Sequence, residues 1–131
     1  MEGKYSEKLE SGGDLIVSAS EWYVQYYFPG PDMRYNGTFF EIKGTEIDDY
    51  IKAYEKNFDK YIEIKNTVPD NGNFEVRGEK NMTIRIGLWE GVCLCYYHMP
   101  ISTKEELEKL IADYQYAKQR AKALQLLLSS L

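Results

Sequence analysis

Cys93, Cys95 and His98 are the residues whose types and spacing come nearest to a metal set, because thiolate and imidazole are the usual soft ligands of zinc. Strand geometry argues against it. Residues two apart on a strand share a face, so Cys93 and Cys95 point together while His98, an odd number of positions from both, points away. Three ligands also leave a tetrahedral site unclosed. No metal, disulfide or cofactor is expected, and the two thiols read as reduced and buried.

His98 is also the one histidine of the chain, so any imidazole acid-base chemistry must pass through it. A nucleophile and an orienting carboxylate would have to converge there, and the sequence has no Gly-x-Ser-x-Gly elbow. Asp48 and Asp49 are adjacent on a helix and diverge, while Glu55 and Asp59 lie among Lys52, Lys56 and Lys60 on a solvated charged face. The glycines fall in neither phosphate-loop pattern. The sequence predicts no catalytic set and no enzyme.

Arg85 is different, because it interrupts an apolar strand beside aromatic residues. If Glu90 and Gly91 form a two-residue hairpin turn, Trp89 opposes Val92, Ile86 opposes Cys95 and Ile84 opposes Tyr97. Ile84, Ile86, Leu88, Cys93, Cys95 and Tyr97 then share one face, and Arg85, Trp89, Tyr96 and His98 share the other. This second face is the expected partner- or ligand-binding surface, where a guanidinium beside rings could stack or meet an anion.

The elements that position these residues follow from apolar period. Met1 to Gly13 has none and reads as a flexible tail, leaving 14–131 as a single domain. Leu15 to Phe28 alternates as one or two strands, with Trp22, Val24, Tyr26 and Phe28 on one face. Pro29 to Asp32 stops it, and Asn36-Gly37 precedes a strand over Thr38 to Lys43. Thr45 is the expected N-cap of an amphipathic helix carrying Ile47, Tyr50, Ile51, Tyr54, Phe58 and Tyr61, ending near Tyr61. Asn66 to Asn73 is a loop. Phe74 to Arg77 is a short strand, Gly78 to Asn81 a turn, and Met82 to Leu88 a strand of strict period two. The predicted class is α+β: an antiparallel sheet of about four to five strands with two helices packed on one face, the C-terminal helix long.

That last helix has the clearest signature. Thr103 and Glu106 have capping-box spacing, and Leu107, Leu110, Tyr114, Ala117, Ala121, Leu124, Leu128 and Leu131 recur in steps of three and four. At 1.5 Å per residue it spans roughly 43 Å, against a domain diameter of roughly 36 Å. Its leucine-rich end, at Leu124, Leu127, Leu128 and Leu131, is therefore the expected self-association surface, with a homodimer as its product.

Bulk properties narrow the function classes. The chain has 131 residues, 44% of them apolar and 28% charged, which suffices for a core without staples. Its net charge of -5 opposes general attraction to phosphate backbones, so nucleic acid is disfavoured as a partner. No apolar run approaches the length of a membrane span, and with no hydrophobic signal core at the N-terminus a cytoplasmic location is the default. Twelve tyrosines suit half-buried sheet positions or a contact surface. The expected function is a non-enzymatic protein-interaction or regulatory module: an adaptor, or an inhibitor of a larger protein of the kind phages and mobile elements encode. It would act through an aromatic and acidic surface and the C-terminal helix. The alternative is a small-ligand or anion-binding domain built on the aromatic sheet face and Arg85.

Overall fold

The computed structural model describes residues 3–28, 38–94 and 99–131. The class is α+β, and the strands divide between two antiparallel sheets, of four and three strands, rather than forming one. The chain divides into two compact units. The first comprises Met1–Ile47 and Ile111–Leu131, and the second Asp48–Leu110.

In the first unit β1 (Lys4–Lys8), β2 (Asp14–Ser18), β3 (Trp22–Phe28) and β4 (Thr38–Lys43) pair in sequence order. The registers Leu15↔Val24 and Val24↔Ile42 align one apolar row across three strands. Leu15, Val17, Val24, Tyr26 and Ile42 are buried, which agrees with the face expected for Val24 and Tyr26. The Asn36-Gly37 turn lies outside the described residues.

The expected tail at 1–13 is corrected by β1, whose five residues all pair with β2, and by Leu9, which is buried. Lys4–Lys8 contains little apolar surface, so its order comes from ladder bonds and from side chains far along the chain. Glu7 accepts hydrogen bonds from Tyr116 Oη at 3.0 Å and Arg120 Nε at 3.2 Å.

Those partners lie on α2 (Lys104–Ser129). Its residues from Ile111 onward belong to the first unit, where Tyr114, Ala117, Ala121 and Leu124 are buried. Gln125 Nε2 donates to the Ser18 carbonyl at 3.2 Å. Beneath them Tyr26 Oη meets Tyr114 Oη at 2.7 Å and Ser11 Oγ at 3.1 Å, while Asp113 accepts the Ser11 amide at 3.1 Å. Burial pushes the Tyr26 phenol up to about 12. The heptad-like seam is thus consumed inside the chain, at least as far as Leu124.

The second unit is built on α1 (Ile47–Lys65), which is entered through a 3-10 turn at Gly44–Glu46 that contains Thr45. It continues a turn beyond Tyr61 to Lys65, whose Nζ donates back to the Tyr61 hydroxyl at 3.3 Å. Tyr54, Asn57, Phe58 and Tyr61 are buried. The sheet has the order β5 (Phe74–Arg77), β6 (Thr83–Ile86) and β7 (Gly91–Cys93). Beyond β7, Val92 and Ile101 exchange two backbone hydrogen bonds of 2.8 and 2.9 Å.

Asn57 fixes the β5–β6 connection to the helix. Lys80 and Asn81 both have positive φ, 56° and 57°, a conformation that costs an L-residue roughly 1–2 kcal/mol. The first turns of α2 complete the unit, with Leu107 and Leu110 buried. The capping box forms as expected: Thr103 Oγ1 accepts the Glu106 amide at 3.1 Å, and Glu106 accepts the Ser102 and Thr103 amides in return.

Candidate interaction site

The hairpin between β6 and β7 departs most from its sequence reading. Ile84 opposes Val92 rather than Tyr97, a displacement of five residues, and the odd shift exchanges the faces of the second strand. Cys93 now pairs with Thr83, and Val92 joins Ile84. The reason is the loop. Gly87, Trp89 and Gly91 have φ of +101°, +57° and +132°, so the chain turns over Gly87 to Glu90 and not at Glu90-Gly91. Glycine adopts such angles freely, whereas tryptophan does so only when its surroundings impose them.

Glu90 imposes them. Its Oε1 accepts the Gly87 amide at 3.2 Å, closing the loop, and its Oε2 accepts from Tyr61 Oη and Lys65 Nζ, each at 2.6 Å. Bonds from Lys65 and Tyr61 hold the carboxyl down at about 2, well below the usual carboxylate range. Burial, then the carboxylate beside it, raises the Tyr61 phenol, and Lys65 is raised by the same bonds. A carboxylate so stabilised is a poor base, and phenol and ammonium both stay protonated. The trio clamps the loop and is ill-suited to proton transfer.

The clamp displays two large apolar side chains. Leu88 is 76% exposed and Trp89 64%. Beside them an open groove of about 660 Å³ is lined by Asn73, Phe74, Glu75, Arg85, Ile86, Leu88 and Trp89. Arg85 and Trp89 therefore do meet at one site, although Trp89 reaches it from the loop and not from a strand face. Tyr96 and His98 lie outside the described residues, as does Cys95. Arg85 Nε is 3.2 Å from Glu75 Oε1, so an acidic partner already meets its charge within the groove.

The leucines expected to self-associate separate into classes. Leu124 is buried in the first unit, Leu128 is half-buried, and Leu127 and Leu131 are exposed together with Leu126. Sequence reasoning missed Phe74, Leu88 and the Tyr61–Lys65–Glu90 clamp. The available signal was the pair Gly87 and Gly91, which brackets the loop.

Comparison with protein-family models, curated proteins and solved structures yields no match.

Proposed function

We propose that this chain is a non-enzymatic protein-binding module whose contact surface is the tip of the β6–β7 hairpin. The observation that carries this reading is the exposure of Leu88 and Trp89 on a loop closed by Glu90. Trp is among the residues enriched at binding hot spots, and a loop closed before binding loses less entropy on docking. Backbone strain at a non-glycine residue, sustained by a side-chain clamp, is a mark of a site kept for use. The partner surface that fits is apolar, with one side chain entering the groove beside Phe74 and Ile86. The Glu75–Arg85 pair forms a polar wall that orients it.

The anion-binding alternative draws less support, because Glu75 already meets the Arg85 charge. The clamp chemistry likewise favours a binding role over catalysis.

A photo-cross-linking residue placed at position 89 of the full chain tests the proposal in cells. A discrete protein adduct is expected from position 89, and none from a control at exposed Lys109 on α2. Adducts of equal yield from both positions, or none from 89, would overturn it. Stabilisation by inorganic anions that vanishes in Arg85→Ala would favour the anion reading instead.

A further inference from the structure

We infer that β5 pairs antiparallel with β5 of a second copy of this chain, Val76 facing Val76 and Glu75 facing Arg77. The inference does not need the hairpin-tip reading, since it rests on the backbone edge of the sheet, although Phe74 and Glu75 also line the groove beside that tip.

The two edges of the three-stranded sheet are unlike. β7 spends the outward amide and carbonyl of Val92 on Ile101. No strand among the described residues lies beyond β5, and all four of its residues are exposed. The hydrogen-bond phase follows from the ladder. Gly78 donates to the Met82 carbonyl in the β5–β6 register, so the alternate residues Val76 and Phe74 bond inward and Glu75 and Arg77 turn their backbone outward. Natural edges are blunted by charged side chains, proline or a bulge. Phe74-Glu75-Val76-Arg77 has no proline, its two charges are of opposite sign and can therefore pair across a two-fold axis, and Phe74 and Val76 remain 40% and 37% exposed.

The sequence of the strand selects the occupant. A two-fold axis through Val76 sets Glu75 opposite Arg77 twice, and these are the positions whose backbone groups are presented outward. Val76 meets its symmetry mate in the closer, non-hydrogen-bonded type of pair, with Phe74 on the same face. Glu75 and Arg77 thus form a self-complementary pattern, in which charge fixes register and backbone bonds with apolar contact supply the attraction. An arginine has five N–H donors, so a carboxylate from the second copy adds to its existing contacts instead of displacing them.

Sedimentation of the full chain from about 1 µM to about 1 mM tests this, because a contact of four residues makes a weak dimer. Dimer is expected to grow with concentration. Glu75→Lys and Arg77→Glu should each weaken it about tenfold by placing like charges opposite one another twice. Mixing the two variants should restore it, since the altered position of each then faces the altered position of the other with opposite charge, and the unaltered Arg77 and Glu75 face each other as before. A monomer at every concentration would overturn the inference, as would a dimer indifferent to both reversals or weakened variants that mixing fails to rescue. Should either variant misfold, amide exchange at Glu75 in the unaltered chain decides: it slows as dimer accumulates, and concentration-independent exchange would refute the pairing.

Discussion

Asn57 and Glu79 exchange two hydrogen bonds as if they were neighbours in a sheet. The Glu79 amide donates to Asn57 Oδ1 at 2.9 Å, and Asn57 Nδ2 donates to the Glu79 carbonyl at 3.0 Å and to Met82 Sδ at 3.1 Å. A buried side-chain amide thereby attaches the left-handed Lys80–Asn81 turn to α1. Asn57→Ala should cost roughly 2–4 kcal/mol, because it leaves backbone groups of the turn without these partners. Urea denaturation reads the loss. Asn57→Asp keeps an acceptor and forfeits both donations, so a wild-type midpoint in that variant would contradict this account.

The clamp makes an acid-side prediction with a defined sign. Glu90 titrates at about 2 in the fold against 4.5 for an ordinary glutamate, so its stabilisation is complete above pH 4.5 and disappears as pH falls towards 2. Glu90→Gln should therefore be less stable than the parent at neutral pH, with the difference shrinking through that window. Denaturant midpoints of both proteins at several pH values provide the check, and a constant difference down to pH 2 would exclude the clamp as its source.

The buried phenol in the first unit gives the opposite dependence. Tyr26 is raised from 10 to about 12, so its neutral form contributes fully below pH 10, and that contribution is lost as pH rises through 12. Tyr26→Phe removes the contacts to Ser11 and Tyr114 and should cost roughly 1–3 kcal/mol at pH 7. The variant's stability should also fall less steeply than the parent's between pH 10 and 12. Parallel alkaline profiles would remove Tyr26 from the explanation.

Two leucines three residues apart should behave differently. Leu124→Ala opens the core beneath α2 and should cost roughly 2–5 kcal/mol, whereas Leu127→Ala, at an exposed position, should lie within about 0.5 kcal/mol of the parent. Thermal denaturation distinguishes them. Equal effects would mean that the leucine-rich end is covered in solution.

How much was legible in the sequence follows the range of the interactions involved. The capping box, the aromatic face of α1 and the buried row from Leu107 to Leu124 are all written in steps of three and four, and they appear where the spacing places them. β1 is invisible at that range, because Lys4–Lys8 is ordered by β2 and by Tyr116 and Arg120, over a hundred positions away. The β6–β7 register failed for a related reason. Period two continues through Leu88, but Lys65 and Tyr61 on α1 capture Glu90 and force Trp89 into a backbone that no local preference would select. The groove containing Arg85 was half legible: its strand member was evident, and its loop members depend on that capture.

The first unit is discontinuous in sequence, and this sets an order of events during synthesis. β1 to β4 leave the ribosome first, yet Tyr114, Ala117, Ala121 and Leu124, which complete their core, are made only after all of Asp48–Leu110. Until then Leu15, Val17, Val24 and Ile42 have no helix from α2 to cover them. The nascent sheet therefore carries an uncovered apolar face for that interval, and slowing translation across Asp48–Leu110 would lengthen the exposure.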